Sequence, residues 1–138
     1  MITVRKQELV NINDVLHLYQ AVGWTNYTNQ PQMLEQALSH SLAIYLALDG
    51  DAVVGLVRLV GDGFSSIFVQ DLLVLPTYQR QGIGSALMKK ALGNFKDAYQ
   101  VQLVTEQTEK TLGFYRSLGF ETLSTYDCTG MIWLDRKK

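Results

Sequence analysis

Residues 72–88 read LLVLPTYQRQGIGSALM, and this stretch decides the fold. Its apolar half predicts a buried strand that ends at Pro76. A short polar link follows, and Gly82 and Gly84 then open an amphipathic helix. The first N–H groups of a helix have no partner within the helix, and the helix dipole favours negative charge there. We therefore predict that the chain binds a phosphate-bearing molecule at this turn.

Two common phosphate-binding motifs do not fit this turn. A dinucleotide fingerprint needs glycine or alanine three residues after Gly84, where this chain has Leu87. A P-loop needs a Gly-Lys-Ser/Thr triplet, which the sequence lacks. The remaining pattern is Gln-x-x-Gly-x-Gly over residues 79–84. A helix start that merely carries two glycines is the structural alternative, but glycine is a poor helix former, so such a start gains little from two.

The composition narrows the class of protein. The 138 residues carry a net charge of −1 and 47% apolar residues, which predicts one globular domain over residues 1–138. Because there is no basic excess, we expect no nucleic-acid partner, and the short run Arg136–Lys138 is expected to be a solvated tail. Cys128 is the only cysteine, which suits a reducing compartment.

The chain shows no targeting or membrane signal. Its first ten residues, MITVRKQELV, lack the apolar run of a signal peptide. No apolar stretch approaches the length that spans a bilayer. We therefore expect a soluble cytoplasmic protein without a membrane partner.

The apolar spacing changes along the chain and predicts its elements. Asn11 or Asn13 can cap a first helix that ends at Gly23, and Pro31 suits the first turn of a second helix. The residues between these helices, Trp24–Gln30, are predicted to form a loop. Later segments alternate between strand and helix patterns. In chain order, strands are predicted over 2–5, 42–48, 53–60, 67–75, 101–104, 120–126 and 131–134, with helices after Gly84 and over 109–118.

This order of elements predicts an α+β fold. Three strands in succession form an antiparallel meander, and helices pack against the sheet. Ile67–Leu75 is nearly all apolar, as expected for a central strand covered on both faces. The last two predicted strands, Phe120–Tyr126 and Met131–Leu134, are expected to pair with each other.

The segment 72–88 resembles motif A of the GNAT superfamily, the Gcn5-related N-acetyltransferases. The family pattern is an Arg/Gln-x-x-Gly-x-Gly/Ala loop after a central strand. A second family signature is matched by FYRSLGF at residues 114–120. The resemblance covers the whole chain and implies a mixed, mostly antiparallel central sheet flanked by helices, with a splayed central strand. The residues that match the first motif are Val74, Pro76, Tyr78, Gln79, Gly82, Ile83 and Gly84.

The resemblance also implies a co-substrate, acetyl-CoA, and no metal. In such proteins the loop N–H groups hold the pyrophosphate of coenzyme A, and the splayed strand pairs with the pantetheine arm. An N–H group near Leu73 or Val74 would polarise the thioester carbonyl. Many relatives carry asparagine where this chain has Thr108, which can also cap a helix. The coenzyme-binding residues implied are Leu72, Leu73, Val74, Arg80, Gln81, Gly82, Ile83, Gly84, Ser85 and Thr108.

Three residues are candidates for catalysis. The resemblance places Tyr115 near the coenzyme sulfur as the general acid, although its helical spacing alone favours a buried aromatic. Asp71 is the first candidate for the general base, because a carboxylate in an apolar strand is costly and asks for an explanation. Pairing of Asp71 with a neighbouring donor, or its emergence at a strand edge, is an equal alternative. Glu106 is the second candidate, and an exposed charge before a helix is its alternative.

The sequence says less about the residues that bind the acceptor amine than about those that bind the coenzyme. Trp24 and Tyr27 lie in the region that shapes the acceptor pocket in the family, and capping of the core is the alternative for Trp24. His17 is expected at the surface or in packing. We predict an N-acetyltransferase that transfers the acetyl group to a primary amine of a small molecule, as a monomer or homodimer. A non-catalytic acyl-CoA-binding sensor or interaction module is the alternative.

Overall fold

The computed structural model describes residues 1–135, so the predicted tail over Arg136–Lys138 lies outside the described residues. The chain forms two compact units, Met1–Leu103 and a second that begins at Val104. The fold is α+β, as predicted. No helix within residues 1–135 is both long and apolar enough to cross a bilayer.

The first unit contains one mixed sheet of five strands in the order β1-β2-β3-β4-β5. The first four strands pair antiparallel with their neighbours, and β5 pairs parallel with β4. The predicted meander is therefore confirmed, with each strand boundary displaced by one residue. The strands are β1 Ile2–Lys6, β2 Ala43–Asp49, β3 Ala52–Gly61, β4 Ser66–Val74 and β5 Gln100–Leu103.

Four helices belong to this unit: α1 Ile12–Ala21, α2 Thr25–Thr28, α3 Pro31–Ser39 and α4 Ile83–Gly93. The Asn11 side chain caps α1, since it accepts a hydrogen bond from the N–H of Asn13 at 2.9 Å. Pro31 begins α3 as expected. The segment predicted as a loop, Trp24–Gln30, instead contains the single turn α2. Its backbone is held by local bonds, such as that from the N–H of Asn29 to the carbonyl of Thr25 at 2.9 Å.

Helices cover both faces of the sheet. The buried faces of α1–α3 pack on one side, and the residues of that core are Val15, Leu18, Tyr19, Tyr27, Leu34, Leu38, Ile44, Leu46, Leu48, Leu56 and Leu73. On the other side α4 buries Ile83, Leu87, Met88 and Ala91. Gly55 allows α4 to approach closely, because a Cβ there would lie 3.1 Å from both the Leu87 side chain and the Leu73 carbonyl oxygen. The sheet is thus covered as predicted for a buried central strand.

A β-bulge in β4 changes which side chains face α1–α3. Arg58 pairs with Asp71 and the next residue, Leu59, pairs with Val69, so Gln70 has no counterpart in β3. Arg58 and Leu59 are adjacent in β3, so they face opposite sides of the sheet. Their partners Asp71 and Val69 therefore also face opposite sides, although residues two apart in a regular strand share one side. The bulge therefore turns the Asp71 carboxylate toward α1–α3.

The second unit contains α5, Glu109–Ser117. The Thr108 side chain caps it by accepting a hydrogen bond from the N–H of Thr111 at 3.2 Å. At the other end Gly119 has a φ of 97°, and the N–H of Phe120 bonds to the carbonyl of Tyr115 at 3.1 Å. This is the helix-ending motif that the sequence predicts.

The predicted strands Phe120–Tyr126 and Met131–Leu134 are wrong. A 3₁₀ turn occupies Leu123–Tyr126, and residues 127–135 contain no strand. The Thr122 hydroxyl lies 3.0 Å from that of Ser124, and such local side-chain bonds compete with a sheet ladder. The left-handed Asp127, with a φ of 58°, then closes the turn.

Candidate active site

One edge of β4 is only partly paired. Its parallel pairing with β5 runs from Ser66 to Val69, opposite Gln100 to Leu103. Beyond that point β5 ends, and within residues 1–135 Asp71–Val74 pairs only with β3. Alternate backbone groups of this segment therefore point to an edge without a strand. This is the splayed central strand predicted from the sequence, and Leu72, Leu73 and Val74 lie in it.

A glycine loop connects β4 to α4. A 3₁₀ turn over Pro76–Tyr78 leaves the strand, and the Gln79 amide then donates to the Val74 carbonyl at 3.0 Å. Arg80 and Gly82 both adopt left-handed backbone angles, with φ of 64° and 80°. Alternation of left-handed residues with others makes successive N–H groups converge on a concavity that suits anions.

The N–H groups of six consecutive residues in this loop have no acceptor among residues 1–135. No backbone or side-chain acceptor in the described part of the chain receives a hydrogen bond from residues 80–85, and the first bonded N–H is that of Ala86, to the Gly82 carbonyl at 3.0 Å. The N-cap is glycine and the first turn of α4 has no acidic residue. Open donors and the positive end of the helix dipole therefore favour an anion here. The six residues are Arg80, Gln81, Gly82, Ile83, Gly84 and Ser85.

A buried polar cluster lies on the α1–α3 side of the bulge. The Arg58 Nε donates to Asp71 Oδ2 at 2.7 Å, and the Tyr19 hydroxyl donates to the same oxygen at 2.8 Å. The Tyr27 hydroxyl donates to Asp71 Oδ1 at 3.0 Å. Asp71 and Arg58 are only 2% and 4% exposed, and each is neutralised by the other. The pairing alternative for Asp71 is thus the one that the structure displays.

The tyrosines of this cluster are held as neutral donors. Burial, followed by the nearby Asp71 carboxylate, raises the pKa of both Tyr19 and Tyr27 above the usual tyrosine value. The Tyr27 hydroxyl also accepts hydrogen bonds from Arg58 Nη2 at 3.2 Å and from the Gln70 amide at 3.4 Å. The bulge residue Gln70 is therefore tied to α2 through Tyr27.

Trp24 and His17, the other N-terminal residues considered in the sequence, both contact other parts of the first unit. Trp24 is half-buried, and its ring lies 6.2 Å from that of Tyr19 and 6.3 Å from that of Tyr27. It packs against the α1–α3 core, which is the capping role that the sequence left open. His17 Nε2 lies 2.8 Å from the Val53 carbonyl oxygen at the surface, where the sequence predicted it.

The second unit carries the three remaining candidates. Tyr115 is half-buried, with edge-to-face ring contacts to Phe114 at 4.9 Å and Phe120 at 5.9 Å. Burial raises the pKa of Tyr115, and a hydrogen bond with Thr105 acts in the opposite direction. Glu106 is exposed. The Thr108 hydroxyl caps α5 and donates to the Thr111 hydroxyl at 2.8 Å.

Comparison with known proteins gives the family. The model of the acetyltransferase (GNAT) domain matches residues 40–122, which is more than half of the chain and includes the glycine loop. The chain belongs to the GNAT family. This GNAT chain is 79% identical to a GNAT family acetyltransferase of Streptococcus pneumoniae TIGR4 whose structure is solved, with a TM-score of 0.92 and 99% of both chains covered.

More distant GNAT relatives agree with the assignment. Serotonin N-acetyltransferase 2 of rice, a chloroplastic protein, is 30% identical over 80% of this chain. The match covers 56% of the rice protein, and the chain spans less than two thirds of the length of such plant relatives. The PaiA N-acetyltransferase of Thermoplasma acidophilum, solved in complex with coenzyme A, shares the fold at 17% identity, with a TM-score of 0.70 and 88% and 90% of the two chains covered.

Sequence reasoning missed two members of the polar cluster in this GNAT chain. Arg58 stands alone among apolar residues in VVGLVRLV, at positions 53–60, just as Asp71 stands alone in the next strand. Two opposite charges in adjacent apolar strands favour pairing, so the sequence contained a signal for Arg58. The sequence contained no such signal for Tyr19, because its helical spacing is equally typical of a core aromatic.

Proposed function

We propose that this chain is an N-acetyltransferase that moves an acetyl group from acetyl-CoA to a primary amine of a small molecule. The observation that carries the proposal is the row of open N–H groups at residues 80–85, next to the free edge of β4. Membership of the GNAT family and the fold shared with a coenzyme A complex support it.

The donors present fit coenzyme A. The pyrophosphate is a dianion, and the loop offers converging N–H groups, a helix N-terminus and the exposed Arg80. The pantetheine arm contains two amides, which can pair with the backbone groups of Leu72 and Val74 that point away from β3. The N–H of Val74 would then polarise the thioester carbonyl and stabilise its oxyanion, because the register directs the N–H of Leu73 toward β3 instead. Thr108 is retained as a predicted coenzyme contact.

The transfer needs one bond made and one broken. The neutral amine nitrogen attacks the thioester carbonyl carbon, the C–N bond forms, and the C–S bond breaks to release the thiolate. We assign Tyr115 as the acid that protonates this thiolate. A tyrosine phenol is protonated at neutral pH, as an acid must be, and burial raises its pKa further.

The substrate ammonium must lose one proton before it attacks, and its nitrogen loses another as the amide forms; neither proton goes to Asp71. Both Asp71 oxygens accept hydrogen bonds from groups inside the fold, and Arg58 compensates its charge. We therefore propose that Asp71 positions Tyr27 and the bulge, and that water or the exposed Glu106 takes the proton. This replaces the first assignment of Asp71 as the general base.

The acceptor is proposed to be a small aryl-alkyl or cationic amine. The rice relative carries the name of an enzyme for serotonin, which is a primary aryl-alkyl amine. The net charge of −1 gives no electrostatic reason for a nucleic acid. The cytoplasmic location and the monomeric or homodimeric state stay predictions.

A panel of primary amines tests this function. With acetyl-CoA, the full chain should release coenzyme A thiol in the presence of at least one aryl-alkyl or cationic amine, and Tyr115→Phe should lower kcat by about a hundredfold without changing coenzyme affinity. Tyr126→Phe, which alters an exposed tyrosine of the same unit, is the matched control. Coenzyme binding without any amine-dependent release would favour the non-catalytic module instead.

A further inference from the structure

Tyr78 links the glycine loop to a distant strand of the sheet. It ends the 3₁₀ turn Pro76–Tyr78, one residue before the loop. Its hydroxyl donates to Asp49 Oδ2 at 2.6 Å, across the width of β3. The carboxylate acceptor makes this a charge-assisted bond, which explains its short length. The same bond raises the pKa of Tyr78 and lowers that of Asp49.

Asp49 is a fixed point of the sheet. It is the last residue of β2 and is registered with Ile2 of β1 on one side and with Ala52 of β3 on the other. Its backbone therefore belongs to the rigid part of the unit, although its side chain is 37% exposed. A side chain that hydrogen-bonds to Asp49 is therefore fixed in position relative to the sheet.

The loop has few other ties. The Gln79 amide donates to Val74 at the end of β4, and the Gln81 amide lies 3.5 Å from the Thr77 carbonyl within the loop itself. Among the described residues, the Tyr78–Asp49 bond is the one side-chain hydrogen bond that joins residues 76–82 to strands other than β4. Arg80 moreover adopts a left-handed conformation that costs free energy for a residue with a side chain.

We propose that Tyr78 and Asp49 are positioning residues that hold the loop in the conformation that receives the coenzyme pyrophosphate, an inference that rests on the proposed function. A loop with a strained residue keeps its shape only when its surroundings fix it. Without the bond the N–H groups of residues 80–85 would have to be ordered on binding, which lowers affinity.

A double-mutant cycle on coenzyme A affinity tests the inference. Calorimetric titration of the full chain should give a dissociation constant about tenfold higher for Tyr78→Phe and for Asp49→Ala than for the wild type. The double variant should be no weaker than Asp49→Ala, because the bond that Tyr78→Phe removes is already absent there. The Met1 ammonium, which lies 3.6 Å from Asp49 Oδ1, is affected by the Asp49 change alone and cancels in the cycle. In turnover, KM for acetyl-CoA should rise while kcat at saturation stays the same.

Matched control variants, and separate criteria for the positioning role and for the proposed function, make the result of the titration interpretable. Tyr99→Phe and Asp51→Ala change exposed residues of the same types and should keep wild-type affinity. If the wild type binds coenzyme A and folded single variants bind within twofold of it, or if the two losses add, the positioning role is wrong. If the wild type itself does not bind coenzyme A, the proposed function fails instead.

Discussion

At the scale of single residues, Asp71 illustrates how a buried charge can mislead a functional assignment. A carboxylate inside an apolar strand is typical of both a catalytic base and a paired structural group. The sequence could not choose between them, because the choice depends on Arg58 and on the bulge at Gln70 that turns Asp71 toward it. Spacing along the chain does not reveal a bulge, since a single extra residue in one strand reverses the face.

Asp71→Asn tests the structural role directly. The change keeps the size of the side chain but leaves the Arg58 charge buried without a counter-charge, so the free energy of unfolding should fall by about 3–5 kcal/mol. Chemical denaturation measures this loss. Asp51→Asn, in the exposed turn after β2, is the control and should change stability by less than about 0.5 kcal/mol.

The pH dependence of turnover separates the two roles of Asp71. Our account predicts that the folded Asp71→Asn protein keeps the shape of the wild-type pH–rate profile at a temperature where it stays folded. Loss of the acidic limb in that variant, with little loss of stability, would restore Asp71 as the base.

At the scale of elements, the glycine loop was predictable because its conformation depends on the residue types within the loop itself. Glycines at positions 82 and 84 before an amphipathic helix indicate an open helix N-terminus, and α4 begins at Ile83 accordingly. The prediction of the two C-terminal strands was wrong because a strand depends on residues outside its own segment. Apolar content at residues 131–134 is typical of a strand, but a strand also needs a partner, and local sequence carries no information about one.

Arg80 provides a prediction at this scale. Its φ of 64° is easily adopted by glycine and costs free energy for other residues. Arg80→Gly and Arg80→Ala both remove the guanidinium, but only the first relieves the backbone. The glycine variant should therefore be more stable than the alanine variant by about 1 kcal/mol, measured by thermal or chemical unfolding. Equal stability of the two variants would show that the loop conformation carries no strain.

At the scale of the whole molecule, two motifs at a fixed separation identified the family from the sequence. The loop at residues 79–84 and the helix that carries Tyr115 each allow a structural interpretation, and only together do they indicate a GNAT protein. The polar cluster of Tyr19, Tyr27 and Arg58 was not predictable in the same way, because its members meet through contacts between residues distant in the chain. The family match over residues 40–122 confirms the assignment and leaves the acceptor as a proposal.

The central claim is that the open N–H groups of residues 80–85 receive the pyrophosphate of coenzyme A. Titration of the ¹⁵N-labelled chain with coenzyme A, followed by amide chemical shifts, measures this directly. Our account predicts the largest shifts at Gly82, Ile83 and Gly84, and small shifts at Gly50 in the turn after β2. Saturable binding that leaves the amides of residues 80–85 unmoved would contradict it.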